Sequence, residues 1–236
     1  VPLKGQNDGH DFVSKAIENG AAATLWSNDP ATAPEGIAVI LVNDTLAAFQ
    51  ALASYYLLEE HPDVIAITGS NGKTPTKDMT ESVLSQKYRT YKTQGNYNND
   101  IGLPYTILHM PEGTEKLILE MGMDHANEIS VLSELAEPDV AAITIIGEAH
   151  IENLGSREKN ADAKMEITTG LAPEGLLVIP ADEPLLADRI RSLSQTIETF
   201  GIQKGDISAT ILNENKGATV FSVDDSGYQI PLPGSY

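Results

Sequence analysis

The sequence contains no cysteine and few basic residues. Without cysteine, the 236-residue chain has no disulfide framework, no thiolate metal ligand and no cysteine nucleophile. With 34 Asp and Glu against 15 Lys and Arg, the formal net charge is −19, which disfavours binding to nucleic acid or to an anionic membrane. A nucleotide would therefore be held by a local group of residues and not by the overall field of the protein.

Long apolar runs are also absent. Residues 140–146 form one of the longest, and this run is far too short to cross a bilayer. The first residues do not follow the charged-then-apolar order of a secretory signal. Hydrophobic residues nevertheless make up 41% of the chain, which is ordinary for a globular protein. We expect a soluble cytoplasmic protein without membrane insertion, whose oligomeric state the sequence leaves open.

Residues 1–62 have the pattern of a small α/β domain. The elements expected here are a short helix at residues 11–20, strands at 22–26 and 37–42, and an amphipathic helix after the cap residues Asn43, Asp44 and Thr45. The charged, proline-containing residues 59–63 end that helix. We predict a partial amino-terminal domain over residues 1–62 and a second domain over residues 63–236.

The second domain alternates apolar strands with helices, which favours a mostly parallel sheet covered on both faces. Strands are predicted at residues 64–68, 88–91, 116–121, 139–146 and 175–180, and helices at 74–86, 128–135 and 162–171. Beyond residue 196, short strands separated by Gly, Asp and Asn predict an antiparallel annex at residues 207–212, 219–223 and 228–232.

A phosphate-binding loop is predicted between the first strand and first helix of this domain. It consists of Thr68, Gly69, Ser70, Asn71, Gly72, Lys73 and Thr74. The glycines let backbone N–H groups approach an anion, the lysine can reach the outer phosphates of ATP, and the threonine hydroxyl can bind Mg2+. The general pattern requires a glycine at position 67, where the chain has Ile67, so an ordinary strand-to-helix turn is the alternative.

Polar residues that follow the other strands are the remaining candidates, because ligands of open α/β sheets bind beyond the carboxyl ends of the strands. Glu120 ends an apolar strand and can bind Mg2+, or it is a solvated strand end. His150 is a metal ligand or a surface histidine, and Lys164 alone would be taken as a solvated charge. The amide-rich residues 93–100, with Asn96 and Asn98, either bind a ligand or form a turn.

Taken in order, these segments resemble those of the Mur ligases, the ATP-dependent amide-bond-forming enzymes of peptidoglycan synthesis. The resemblance is closest to the branch that joins D-alanyl-D-alanine to UDP-N-acetylmuramoyl-tripeptide, and it spans nearly the whole chain. The matching segments are residues 8–12, 68–74, 77–79, 93–102, 120–123, 147–150, 163–164 and 166–167. The Thr-Gln-Gly-Asn-x-Asn-Asn and Glu-Met-Gly-Met strings are specific to this branch.

The resemblance implies a bacterial ligase that uses ATP and Mg2+ and forms an acyl phosphate. In that scheme Lys73 stabilises the transferred phosphoryl group, and Thr74 and Glu120 hold one Mg2+. His150 helps to hold a second Mg2+, and Lys164 is carbamylated by CO2, which turns an ammonium into an anionic oxygen donor. Asn96 and Asn98 map to the loop that faces nucleotide and substrate.

Four positions depart from the family pattern. Pro75 replaces a usual threonine, Ile145 a usual asparagine, and Ala126 with Asn127 a usual Pro-Gly. The family's uridine-contacting segment and carboxy-terminal lid would lie outside these 236 residues, so we expect the chain alone to have little or no ligase turnover. A Mur-type ligase with another acceptor and a non-catalytic nucleotide-binding protein are the alternatives.

Overall fold

The computed structural model describes residues 1–5, 7–147, 151–215 and 217–231. Near the amino terminus, a one-turn 3-10 helix (Gly9–Phe12) leads into helix α1 (Val13–Glu18). Strands β1 (Ala23–Trp26) and β2 (Ala38–Leu41) follow and pair in parallel. The first part of the chain therefore contributes a small sheet of its own.

In the sequence, helix α2 (Thr45–Glu60) follows the small sheet and precedes the strands of the larger sheet. Asp44 caps its amino end by accepting two backbone N–H groups, at 2.7 and 3.0 Å. The helix ends at His61, which takes a left-handed φ of 50° and precedes a proline. Ala53 and Leu57 belong to the hydrophobic core of the larger sheet. The domain boundary at residue 62 stays a prediction, and the helix before it packs against the residues after it.

The described residues form a nine-stranded sheet in the order β11-β10-β9-β8-β7-β6-β3-β5-β4. Strands β3 to β9 pair in parallel, whereas β9, β10 and β11 are antiparallel neighbours. The strands are β3 (Asp63–Thr68), β4 (Thr90–Lys92), β5 (Lys116–Glu120), β6 (Val140–Ile143), β7 (Leu176–Pro180), β8 (Thr196–Ile202), β9 (Ile207–Asn215), β10 (Ala218–Val223) and β11 (Ser226–Ile230). The predicted α/β fold, mostly parallel with an antiparallel annex, is confirmed.

Helices cover the sheet and close its core. They are α3 (Lys73–Leu84), α4 (Gly102–Leu108), α5 (Glu128–Ala136), α6 (Ile151–Leu154), α7 (Arg157–Met165) and α8 (Pro184–Ala187). The three apolar residues of β5 are fully buried, and Leu117 and Leu119 belong to a hydrophobic core shared with α2, α4, α5 and α7. In the described part of the chain, no helix has both the length and the apolar character needed to cross a membrane.

Several predicted boundaries differ from the structure, and two of them lie near the candidate site. Strand β6 ends at Ile143 and not at residue 146, because the backbone of Ile145 accepts a hydrogen bond from Ser70 N–H at 2.9 Å instead of continuing the sheet. Helix α7 begins at Arg157 and not at residue 162, because the Ser156 hydroxyl caps it. The sheet order places the ends of β3, β5 and β6 side by side.

Candidate functional site

The loop between β3 and α3 leaves backbone N–H groups free to bind an anion. Gly69 and Gly72 have φ angles of 151° and 79°, and a Cβ on Gly69 would lie 1.9 Å from the Thr144 hydroxyl oxygen. Glycine is therefore required at position 69. Gly72 is the N-cap residue of α3, and no side chain caps this helix end. The first N–H groups of α3 thus point outward at the positive end of the helix dipole.

Lys73 is held inside this loop. Its ammonium nitrogen donates a hydrogen bond to the Gly69 carbonyl oxygen at 2.8 Å. Burial lowers the pKa of Lys73, and the nearby Glu120 carboxylate partly opposes this effect. The side chain therefore brings a positive charge to the concave side of the loop, where a phosphate would sit.

Glu120 stands at the end of β5, and its side chain contacts three other residues. One carboxylate oxygen accepts a hydrogen bond from the Thr74 hydroxyl at 2.9 Å, and the other accepts one from the Asn98 amide at 2.8 Å. The ammonium of Lys77 lies 3.9 Å from the first of these oxygens. Glu120 and Lys77 are each only 3% exposed. A buried carboxylate with this surrounding is fixed in position and stays compensated in charge.

Lys164 lies in the last turn of α7 and is 1% exposed, so it is not the solvated charge that an isolated helical lysine would be. Burial and the positive charge of Lys73 lower its pKa to about 8, against the partial opposition of Glu166. A lysine with this pKa has an appreciable neutral, nucleophilic fraction near neutral pH.

We expect Lys164→Met to raise the free energy of unfolding near pH 7, in CO2-free buffer, by on the order of 3 kcal/mol. The substitution removes a buried ammonium whose pKa falls from 10.5 to about 8 on folding. Between these two pH values the folded parent loses a proton that the unfolded chain retains, so the parent becomes more stable as pH rises. The advantage of the variant should shrink through this window and vanish above it. Urea unfolding at several pH values measures the difference, and a pH-independent difference would contradict the assignment.

A cleft of about 570 Å³ opens beside the phosphate loop. Lys73, Asn96 and Asn98 contribute to its wall, together with residues that follow β5 and the first turns of α5. Its amide side chains offer both donors and acceptors, which suits a polar substrate with peptide or sugar groups. The cleft thus continues from the phosphate loop toward α2.

Comparison with known proteins decides the family. Residues 67–236 match the Mur ligase middle domain. Over its whole length the chain is 48% identical to the UDP-N-acetylmuramoyl-tripeptide--D-alanyl-D-alanine ligase of Bacillus subtilis, and the match covers 52% of that protein. The chain belongs to the Mur ligase family. It spans about half the length of the curated relatives it matches.

Solved Mur ligase structures superpose closely on the chain. MurF from Acinetobacter baumannii matches 99% of the chain over 52% of its own length, with a TM-score of 0.91 and 32% identity. MurF ligase from Thermotoga maritima, in complex with ADP, matches all of the chain over 55% of its own length, with a TM-score of 0.87 and 32% identity. The resemblance read from the sequence is therefore confirmed at the level of family and fold.

The structure brings most of the predicted Mur ligase site residues together. Thr74, Glu120 and Asn98 are in hydrogen-bond contact, and Lys73 is close enough to Lys164 for its charge to lower the pKa of Lys164. Asn96 lines the cleft, and its backbone carbonyl oxygen accepts a hydrogen bond from the Asn98 N–H at 2.8 Å. His150 lies outside the described residues. The catalytic and binding roles of all these residues stay predictions.

The departures from the family pattern are accommodated locally. Pro75 is the third residue of α3, where its missing N–H has no partner within the helix. Ile145 contacts the phosphate loop through its backbone carbonyl and points its side chain outward. Asn127 has a φ of 68°, a left-handed conformation that asparagine tolerates better than most residues. It can therefore take the place of the usual glycine.

Two buried polar residues near the loop were missed by the sequence reasoning. Lys77 follows Lys73 by four residues, so both lie on the inner face of α3, and this spacing was the available signal. Asn160 precedes Lys164 by four residues on α7 and is 0% exposed. The sequence gave no such signal for Asn160, because the helix predicted from the sequence began at residue 162, after Asn160.

Proposed function

We propose that the protein carrying this chain is an ATP-dependent, ADP-forming ligase that joins D-alanyl-D-alanine to UDP-N-acetylmuramoyl-tripeptide. The observation that carries the proposal is the contact between Thr74 and Glu120 beside Lys73, because it places two oxygen donors next to a phosphate-binding loop. The substrates named for the similar proteins support this choice of donor and acceptor. The ADP bound to the Thermotoga maritima protein supports the choice of nucleotide.

The proposed reaction has two steps. A carboxylate oxygen of the tripeptide attacks the γ-phosphorus of ATP, the bond to the β-phosphate oxygen breaks, and ADP leaves. The amine nitrogen of D-alanyl-D-alanine then attacks the acyl carbon, and inorganic phosphate leaves as the nitrogen loses a proton. Lys73 and the N–H groups at the start of α3 stabilise the charge on the transferred phosphoryl group.

Thr74 and Glu120 fit a Mg2+ ion that is shared with the phosphates. Within the described residues, no three His, Asp or Glu side chains are grouped to hold a metal ion by themselves. Mg2+ needs only one or two protein oxygens when substrate phosphates and water complete its coordination. When bound, it neutralises charge that develops on the phosphate oxygens. His150, outside the described residues, is the proposed ligand of a second Mg2+.

Lys164 is the proposed site of carbamylation. Its neutral amine attacks CO2 and releases a proton, which leaves an anionic carbamate. The burial of the side chain and its lowered pKa support this reaction, because only the unprotonated amine is a nucleophile. The product would give the second Mg2+ an oxygen ligand and would replace repulsion from Lys73 by attraction.

The cleft beside Lys73 is the proposed binding region for the tripeptide substrate. Asn96 and Asn98 can hydrogen-bond to peptide or sugar groups there. Asn98 also contacts Glu120, so substrate and Mg2+ would be held by connected residues. We infer that the reaction takes place in the bacterial cytoplasm, because its substrates are nucleotides and the relatives are bacterial proteins.

Phosphate release is the direct test of this function. The product of the complete open reading frame that contains these residues should release phosphate with ATP, Mg2+, UDP-N-acetylmuramoyl-tripeptide and D-alanyl-D-alanine. Omission of the dipeptide should remove most of the signal, because acyl-phosphate breakdown then lacks its amine. The 236-residue chain alone should be nearly inactive.

Other outcomes of the same assay would redirect the proposal. Release that depends on a free amino acid, and not on the dipeptide, would indicate another Mur-type ligase. Nucleotide binding without any turnover by the product of the complete open reading frame would indicate a non-catalytic protein of this fold. Calorimetric titration with ADP separates that outcome from a failure to bind nucleotide at all.

A further inference from the structure

Asn160 is a buried asparagine that bridges α7, the phosphate loop and the segment after β6. It is 0% exposed. Its amide nitrogen donates a hydrogen bond to the Gly147 carbonyl oxygen at 3.0 Å and lies 3.4 Å from the hydroxyl oxygen of Ser70. A leucine would occupy similar space without the cost of burying an amide. The amide of Asn160 is therefore expected to have a role that depends on the hydrogen bonds it makes.

Ser70 is the loop residue on which these contacts meet. Its hydroxyl oxygen accepts the Gly147 N–H at 2.8 Å and the Asn160 amide at 3.4 Å. A serine hydroxyl has two acceptor positions and one proton to donate. With both acceptor positions in use, the proton must point away from α7 and Gly147. Among the described residues, the Ser70 hydroxyl acts as an acceptor in both of its side-chain hydrogen bonds, and that proton has no acceptor.

We propose that Asn160 is a positioning residue that fixes the Ser70 hydroxyl as a hydrogen-bond donor to a phosphate of the bound nucleotide. Asn160 acts directly on the hydroxyl, and it also acts through Gly147, whose N–H donates to the same oxygen. Both routes end on Ser70. The inference rests on the proposed function in one respect only, the presence of a nucleotide phosphate in the loop.

Other contacts hold α7 in place without Asn160. Arg157, one turn earlier, donates to the Ile146 carbonyl oxygen at 3.0 and 3.1 Å and pairs with the buried Glu183 at 2.5 Å. Ser156 caps the start of the helix. Removal of the Asn160 amide should therefore release the Ser70 hydroxyl from its fixed donor orientation, while the position of α7 stays unchanged.

A double-mutant cycle on nucleotide affinity tests the proposal. The variants are Asn160→Leu, Ser70→Ala and the combination, each made in the product of the complete open reading frame. The probe is ADP with Mg2+, measured by calorimetric titration. Each single variant should bind about tenfold more weakly, the effect of one hydrogen bond to a charged group. In the Ser70→Ala background, Asn160→Leu should weaken binding by less than about twofold, because the residue through which it acts is gone.

A control on the same helix separates this role from general damage to α7. Asp162 is exposed and pairs with Arg189 on the side away from the loop, so Asp162→Asn should bind ADP like the parent. Without nucleotide, Asn160→Leu should melt no lower than the parent. If Asn160→Leu does not fold, Asn160→Ala replaces it in the same cycle with the same expected tenfold loss.

Two results would overturn the inference alone. One is ADP affinity of Asn160→Leu within twofold of a parent that binds ADP. The other is additive losses in the double variant, which would mean that Asn160 does not act through Ser70. A parent that binds no ADP overturns the proposed function and this inference together. The two failures are therefore distinguishable by the titration of the parent.

Discussion

Lys73→Met should lower kcat/KM for ATP by about 10²- to 10³-fold in the phosphate-release assay. The lysine is half-buried inside the loop, with its ammonium 2.8 Å from the Gly69 carbonyl oxygen. Methionine keeps the length of the side chain and removes the charge that compensates the phosphates. The loss should appear in ADP affinity as well as in turnover, because the charge acts on ground state and transition state alike.

A lysine in the turn that follows α3 provides the matched control. Lys87 is exposed and lies over the ring of Tyr88, away from the loop, so Lys87→Met should leave both parameters within twofold of the parent. The thermal stability of Lys73→Met should stay close to that of the parent, because methionine tolerates burial better than an ammonium does. Equal kinetics for Lys73→Met and Lys87→Met would remove Lys73 from the phosphate site.

The sequence was sufficient to predict the fold and to select residues that the structure brings together, whose roles stay predictions. Apolar runs such as the one before Glu120 could be recognised as buried strands, and in a parallel sheet the residues after such strands meet at one edge. Gly69 and Gly72 marked the loop in the sequence. Both have positive φ angles, and a Cβ on Gly69 would also clash with Thr144. These predictions rely on local rules that hold whatever the neighbouring segments are.

The contacts that the sequence did not predict depend on packing between segments distant in the chain. Lys77 and Asn160 are ordinary polar residues in their helices, and only the packing of α3 and α7 against the sheet buries them. The end of β6 was misplaced for a similar reason, because the backbone of Ile145 bonds to the phosphate loop and not to a strand. Hydrophobic periodicity indicates which face of a helix or strand is apolar. It does not indicate which distant residue will form a hydrogen bond with a buried polar group.

The second large effect is expected from Glu120→Gln. The change should lower kcat on the order of 100-fold and raise the Mg2+ concentration needed for half-maximal rate. An amide keeps the size of the side chain and still contacts Thr74 and Asn98, but it is a far weaker ligand for Mg2+ than a carboxylate. The variant should also unfold more easily, because the buried Lys77 ammonium then keeps only one carboxylate partner, Asp78 at 3.6 Å.

Glu134→Gln is the control for this change, because Glu134 is an exposed residue of α5 outside the cleft. It should alter neither the Mg2+ titration nor the midpoint of urea unfolding. The two effects of Glu120→Gln come from different neighbours, so they can be separated. Adding Lys77→Met to Glu120→Gln should restore most of the stability, since it removes the buried ammonium that has lost one of its two carboxylate partners, while the higher Mg2+ requirement persists. If the double variant recovered the Mg2+ dependence of the parent, Glu120 would be a partner of Lys77 and not a ligand of the metal ion.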